Sequence, residues 1–153
     1  MRKGNEEHAP IQQSVHLDCP VEDAFRLFTE RFAEWWPLSS HSVAGEDADS
    51  CEIEPWRGGK VLERTRSGEE HEWGDVLVWD PPERVEFTWH PGGRRDENQT
   101  VNIEFRVETQ GTRVTLTHRG WQLAGAEICA SLWATTLARC FAPFVCEQTL
   151  VAV

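Results

Sequence analysis

The chain has 153 residues, which suits a single domain, and its 26 acidic residues against 15 basic ones give a formal net charge of −11. Such a charge repels phosphate groups, so it argues against nucleic acids and anionic membranes as partners. No apolar run is long enough to span a bilayer, and residues 1–10 are polar and lack the apolar core of a signal peptide. We therefore expect one domain over residues 1–153, a flexible tail at residues 1–10, and a cytoplasmic location.

The five cysteines are scattered and contain no C-x-x-C pair, which argues against both a disulfide framework and a zinc site. The sequence also has no phosphate-binding loop, nucleophile elbow or zincin motif, so we expect no cofactor and no metal. The lack of these motifs weakens the case for an enzyme without removing it. The chain has eight tryptophans and no tyrosine, which predicts large apolar side chains in the core, several of them with an indole N–H donor.

The first part of the chain predicts a strand followed by two short helices. Residues 11–18 alternate between apolar and polar side chains, as a strand with one buried face does. Pro20 suits the first position of a helix. We expect this helical region to break near Glu30 and to end at Trp35-Trp36, before Pro37.

After residue 50 the apolar pattern changes to a period of two, which predicts strands. Turn residues such as Pro81-Pro82 and Gln110-Gly111 separate neighbouring strands and indicate antiparallel pairing. The strands are expected at about 50–54, 60–66, 71–79, 83–90, 99–108 and 112–119.

The last long apolar run, Ala124 to Leu150, predicts a helix. Its apolar face is wide and its polar seam is narrow, which is typical of a helix that other elements wrap. Pro143 lacks a backbone donor and would clash with the carbonyl of Arg139, so we expect a kink or an early end there. The whole order predicts an α+β fold with the helices on one face of an antiparallel sheet.

Several short motifs resemble one known family. They are Trp35-Trp36, Gly74-x-Val76, the run from Pro81 to Trp89 and the run from Gly111 to Trp121. Their order, within residues 12 to 145, resembles the helix-grip fold of the START-like (SRPBCC, Bet v 1-like) superfamily. The local sequence is most similar to its AHSA-type branch, which is named after activators of a heat-shock-chaperone ATPase. The resemblance implies a curved sheet of six to seven antiparallel strands wrapped around the long C-terminal helix.

A pocket between the sheet and this helix is the expected binding site. Tryptophans from four elements would converge there; each alone is most simply core filling, but together they would line an apolar site for a small molecule. Two residues of the helix face would form the opposite wall. The predicted site residues are Trp36, Trp56, Trp89, His118, Trp133, Leu137 and Phe141.

His118 allows more than one interpretation. It shares the parity of the inward residues Val114 and Leu116, so it could touch a ligand at the mouth of the pocket or act as an acid or base. The simpler interpretation is a histidine at the rim, bonded to backbone or water.

The strand expected at 71–79 is also ambiguous, because both of its faces are apolar. If Trp73 faces inward, Asp75 is a buried carboxylate and a candidate functional group. If Gly74 faces inward, as the family motif suggests, Asp75 lies on the surface. We favour the second arrangement.

Because the superfamily includes ligand carriers, cyclase-like enzymes and co-chaperones, fold alone does not decide function. The leading hypothesis is a protein that binds a small apolar or aromatic molecule. The second is an enzyme of the cyclase or hydratase kind that uses the same pocket, and the third is a co-chaperone-like interaction module. A homodimer is compatible with the sequence, whereas nothing in it supports a chaperone partner.

Overall fold

A computed structural model describes residues 9–92, 99–120 and 126–151 of the chain. Most of the tail expected at residues 1–10 lies outside these ranges, and so does Trp121 at the end of the last family motif. Ala9 and Pro10 are described and lead directly into the first strand.

Seven strands form where the alternating pattern predicted them, each to within two residues at either end. Alternation is a reliable signal here because one face of nearly every strand packs on the core. The strands are β1 (Ile11–Leu17), β2 (Ala48–Ile53), β3 (Lys60–Thr65), β4 (Glu70–Asp80), β5 (Arg84–Thr88), β6 (Thr100–Glu108) and β7 (Gly111–Arg119).

All seven strands belong to one antiparallel sheet with the order β1-β7-β6-β5-β4-β3-β2. Strands β2 to β7 follow one another as a meander, and β1 pairs with β7 in a register that places Val15 opposite Val114. The sheet curls around the helices. The helix-grip α+β fold is therefore confirmed, with seven strands.

Two short helices, α1 (Val21–Thr29) and α2 (Phe32–Trp35), follow β1. The break near Glu30 and the end before Pro37 are both confirmed. Helix α1 packs on β6 and β7, and its Phe25 ring lies 5.1 Å from the ring of Phe105, centroid to centroid. Helix α2 packs on β2, so the two helices cover the concave face of the sheet.

The C-terminal helix is a continuous helical run made of three parts. Helix α3 (Ala126–Trp133) leads into a π-helical segment (Ala134–Phe141), which leads into α4 (Ala142–Val151). The early end considered at Pro143 does not occur. The π register closes with Ala142 N–H donating to the carbonyl of Leu137, and Pro143 is the second residue of α4.

Strand β4 does not keep a simple alternation, because it carries an irregularity towards each neighbour. Pairing with β3 skips Trp73, and pairing with β5 skips Leu77. Such bulges turn extra side chains to a new side. As a result Trp73 and Val76 are both buried, each 1% exposed, and the expectation that Trp73 faces outward is wrong.

Asp75 nevertheless lies on the outer side of the sheet, as favoured from the sequence. Its carboxylate is 2.6 Å from Lys60 Nζ, and its side chain is 25% exposed. Gly74 beside it touches β5 so closely that a Cβ there would lie 1.7 Å from the carbonyl oxygen of Thr88. Only glycine allows this approach, which brings Trp73 over the core.

Candidate functional site

Four tryptophans pack together in the gap between the sheet and the C-terminal helix. This tryptophan cluster consists of Trp36, Trp73, Trp89 and Trp133, each no more than 5% exposed. The centroids of Trp89 and Trp133 are 5.0 Å apart, and Trp36 lies 5.4 Å from Trp73 and 6.0 Å from Trp133. The indoles thus occupy the gap where a pocket was expected, and the open space lies at the outer side of the cluster.

That open space is a groove of about 340 Å³. Its size is at the lower end of the range for small-molecule sites. The cluster forms its floor, while the loop after α2, the chain after β5 and one side chain of α3 form its sides. The lining residues are Trp36, Ser40, His41, Ser42, Val43, Trp73, Trp89, Pro91, Gly92 and Leu132.

Glu63 fixes one wall of the groove from beneath. Its carboxylate is fully buried and accepts hydrogen bonds from the backbone N–H groups of Val43 and Ala44, at 2.7 and 2.9 Å. A third bond, 2.7 Å long, comes from Trp73 Nε1. Three donors offset the cost of burying the carboxylate, and together they tie the loop after α2 to the tryptophan cluster.

His118 fixes the opposite side of the cluster. Its Nδ1 accepts a hydrogen bond of 2.9 Å from Trp133 Nε1, so its Nε2 carries the proton and donates to Gln99 Oε1, also at 2.9 Å. The ring is fully buried, and this burial lowers its pKa to about 4. A neutral ring with both nitrogens engaged positions Trp133 and is not available as an acid or base.

His41 is the titratable side chain that the groove itself presents. Its Nδ1 lies 2.7 Å from Ser40 Oγ, and its ring stands edge-on to Trp36 at 6.4 Å. The backbone carbonyl of His41 accepts a 2.7 Å bond from Trp36 Nε1, which holds the loop against the cluster. Its Nε2 bonds to none of the described residues.

Two other concave regions are less suited to a flat apolar ligand. One of about 370 Å³, beside Thr29 and Cys51, contains a single indole, that of Trp79. A larger one of about 760 Å³ lies at the β4–β5 turn and is lined largely by charged residues such as Glu83 and Arg106. Charged walls retain water, so the groove on the tryptophan cluster is the better candidate.

Among residues 9–92, 99–120 and 126–151, no group of three or more histidine, cysteine or acidic side chains is arranged to hold a metal ion. Within those same ranges no helix is both long and apolar enough to cross a membrane.

Comparison with known proteins identifies the family. The family model described as Activator of Hsp90 ATPase homolog 1-like protein matches residues 18–142, most of the chain. The chain belongs to this AHSA1-like family. No curated protein matches the chain.

Solved structures of related proteins agree with this assignment. The chain is 31% identical to the anthrahydroquino-Gama-pyrone synthase Txn09, solved complexed with SUM, over 86% of this chain and 88% of that one, with a TM-score of 0.56. It is 18% identical to the AHSA1-like protein from Aeromonas hydrophila (92% and 94% covered, TM-score 0.68). For the Aha1 dimer from Colwellia psychrerythraea the identity is 15%, with 86% and 92% covered and a TM-score of 0.63. The AHSA1-like fold is compatible with ligand binding.

In this AHSA1-like protein the predicted site residues occupy different places. Trp36 and Trp89 line the groove, and Trp133 lies directly beneath them. Leu137 and Phe141, 1% and 0% exposed, are core residues that do not line the groove.

Two of the expected positions are corrected by the structure. Trp56 is 52% exposed in the turn between β2 and β3, and it takes no part in the cluster. His118 is not at the rim; it is 0% exposed, because β7 continues to Arg119 and keeps its side chain under the C-terminal helix.

Sequence reasoning missed Glu63, Gln99 and His41. For Glu63 a signal existed, because Val61, Glu63 and Thr65 share one parity and Val61 is plainly apolar. A carboxylate on an inward parity indicates a bonded, buried group. His41 and Gln99 lie outside the regular strands and helices, so no periodicity could have placed them.

Proposed function

We propose that this AHSA1-like protein binds a flat aromatic small molecule in the groove on its tryptophan cluster. The observation that carries the proposal is that three indoles, those of Trp36, Trp73 and Trp89, line one groove of about 340 Å³. Aromatic faces offer a flat ligand both apolar area and favourable ring–ring contacts, while Ser40 and His41 supply polar groups at one side.

The groove is held in shape before any ligand arrives, which supports binding. Glu63 clamps the loop at 43–44 to Trp73, and the His118 bond holds Trp133 beneath the floor. Side chains that are already ordered lose less conformational entropy when a ligand binds, so more of the contact energy remains as affinity.

The test is equilibrium dialysis with two neutral, planar, tricyclic probes, fluorene and 9-fluorenone. We expect saturable binding of at least one probe at one site, with quenching of tryptophan emission by 9-fluorenone. Val43→Arg places a long side chain at the groove, beside Gly92, and should weaken binding by about tenfold or more, which corresponds to about 1.4 kcal/mol.

Leu77→Arg is the matched control, because Leu77 is 41% exposed, close to the 39% of Val43, and lies outside the groove. It should leave binding unchanged. If neither probe binds, or if the two arginine variants behave alike, the groove is not the binding site.

A second candidate function is an enzyme of the cyclase kind acting in the same groove. The identity of 31% to the synthase Txn09 favours it, and His41 offers a ring nitrogen to a bound molecule. Native mass spectrometry of freshly purified protein would show whether a small molecule is retained, and its mass would identify a compound to assay. With that compound, His41→Gln should abolish turnover and leave affinity nearly intact; unchanged turnover would exclude this role for His41.

The proposal includes a cytoplasmic location and permits a homodimer. Four cysteines in the described ranges are unpaired, as is usual in a reducing compartment. A homodimer is supported by analogy with the Aha1 dimer from C. psychrerythraea, and light scattering of the purified protein tests it. Within the described part of the chain, no residue contact specifically favours a co-chaperone role.

A further inference from the structure

Most indole N–H groups of the tryptophan cluster are already used inside the protein. Trp36 Nε1 donates to the carbonyl of His41 at 2.7 Å, and Trp73 Nε1 donates to Glu63 at the same distance. Trp133 Nε1 donates to His118 at 2.9 Å. These three donors therefore fix the site and have no hydrogen left to offer a ligand.

Trp89 differs from the other three. Its Nε1 donates to no acceptor in the part of the chain that the structure describes. Trp89 Nε1 is also not fully buried. Among those residues, only one fully buried side-chain nitrogen or oxygen lacks a partner, and that atom is His90 Nε2. The Trp89 ring is only 5% exposed and lines the groove, so a molecule in the groove lies against this ring.

We propose that Trp89 Nε1–H recognises a hydrogen-bond-accepting oxygen on the ligand. The ligand class that fits is a planar aromatic molecule carrying a carbonyl or phenolate oxygen at its edge. This inference rests on the proposed function, and it adds which chemical group the groove selects.

The physical reason is the cost of an unmade hydrogen bond. Without ligand, water can satisfy the Trp89 N–H, but a flat ligand that fills the groove displaces that water. A purely hydrocarbon ligand leaves the donor buried without a partner, which opposes binding. A ligand with an oxygen at that point restores the bond. Because an indole N–H only donates, the complementary group must be an acceptor.

Fluorene and 9-fluorenone differ by one carbonyl oxygen and therefore test the idea directly by equilibrium dialysis. The wild-type protein should bind 9-fluorenone about three- to tenfold more tightly than fluorene, as expected for one hydrogen bond. Trp89→Phe keeps an aromatic ring and removes the donor, so the ratio of the two dissociation constants should fall to about one.

Trp36→Phe is the matched control. It also replaces an indole of the groove floor by a smaller ring, but the N–H that it removes is already bonded to the carbonyl of His41. It should weaken both probes together and preserve their ratio. A wild-type ratio near one, or a preference that survives in Trp89→Phe, overturns the inference while leaving the proposed function standing. If the wild-type protein binds neither probe, the proposed function itself fails.

A spectroscopic measurement on the wild-type protein covers the case in which Trp89→Phe does not fold. The indole ¹H–¹⁵N signal of Trp89 can be assigned through the contacts of its ring with Phe87 and Trp133, whose centroids lie 6.0 and 5.0 Å away. It should shift downfield when 9-fluorenone is added, whereas fluorene should leave it without that hydrogen-bond shift. Equal shifts with both probes, or none with either bound probe, overturn the inference.

Discussion

At the residue scale, His118 is a titratable side chain that burial and two hydrogen bonds hold in its neutral form. The ring has one protonated and one bare nitrogen, and each meets a matching partner in Gln99 and Trp133. Protonation would place a second hydrogen between Nδ1 and the Trp133 N–H and would bury a charge. The pKa of about 4 follows from this burial.

The depressed pKa makes stability depend on pH. Between the usual value of 6.5 and about 4, the unfolded chain binds a proton at His118 and the folded chain does not. The free energy of unfolding should therefore fall as the pH falls through this window, by up to about 1.4 kcal/mol per pH unit from this group. His118→Gln keeps one donor and one acceptor but does not titrate, so its unfolding free energy should fall less over the same window.

Urea denaturation at several pH values between 6.5 and 4.5 measures this difference. Parallel curves for the wild type and His118→Gln would show that His118 does not titrate with a depressed pKa.

At the element scale, the C-terminal helix is anchored by its π segment. Phe141, at the end of that segment, is fully buried, and its ring lies 5.1 Å from Phe28 and 4.9 Å from Trp35. The helix therefore packs directly on α1 and α2, and Trp36 of the groove floor directly follows α2.

Replacing Phe141 by alanine should lower the free energy of unfolding by about 3–5 kcal/mol, because a cavity would remain between the helices. Phe144→Ala makes the same chemical change at a partly buried position beside Arg31 and should cost less. Chemical denaturation measures both. A loss below about 1 kcal/mol for Phe141→Ala would contradict its position in the core.

At the scale of the whole molecule, the chain carries a formal net charge of −11. Binding to DNA or RNA would bring this charge against phosphates, so we expect no measurable complex at physiological salt. Fluorescence anisotropy with labelled oligonucleotides tests this. Low-micromolar affinity that weakens as salt is added would contradict the expectation.

Local pattern was enough to predict the elements of this protein and their order. Alternation placed all seven strands, and the spacing of apolar residues placed the helices, because each element buries one face whatever its neighbours are. The resemblance to the helix-grip fold then placed Trp36, Trp56, Trp89 and Trp133 near the gap between sheet and helix, and the structure has all of them there except Trp56.

Only the tertiary structure decided how the site is made. Alternation could not predict the bulge that turns Trp73 inward, because a bulge depends on pairing with another strand. Trp56 stands in a turn, where apolar character does not imply burial. The bonds that engage the indole donors join residues of different elements, such as Trp73 with Glu63 and Trp133 with His118. Hydrogen bonds of this kind leave no periodic signal, so only the folded chain reveals that the Trp89 donor has no acceptor among the described residues.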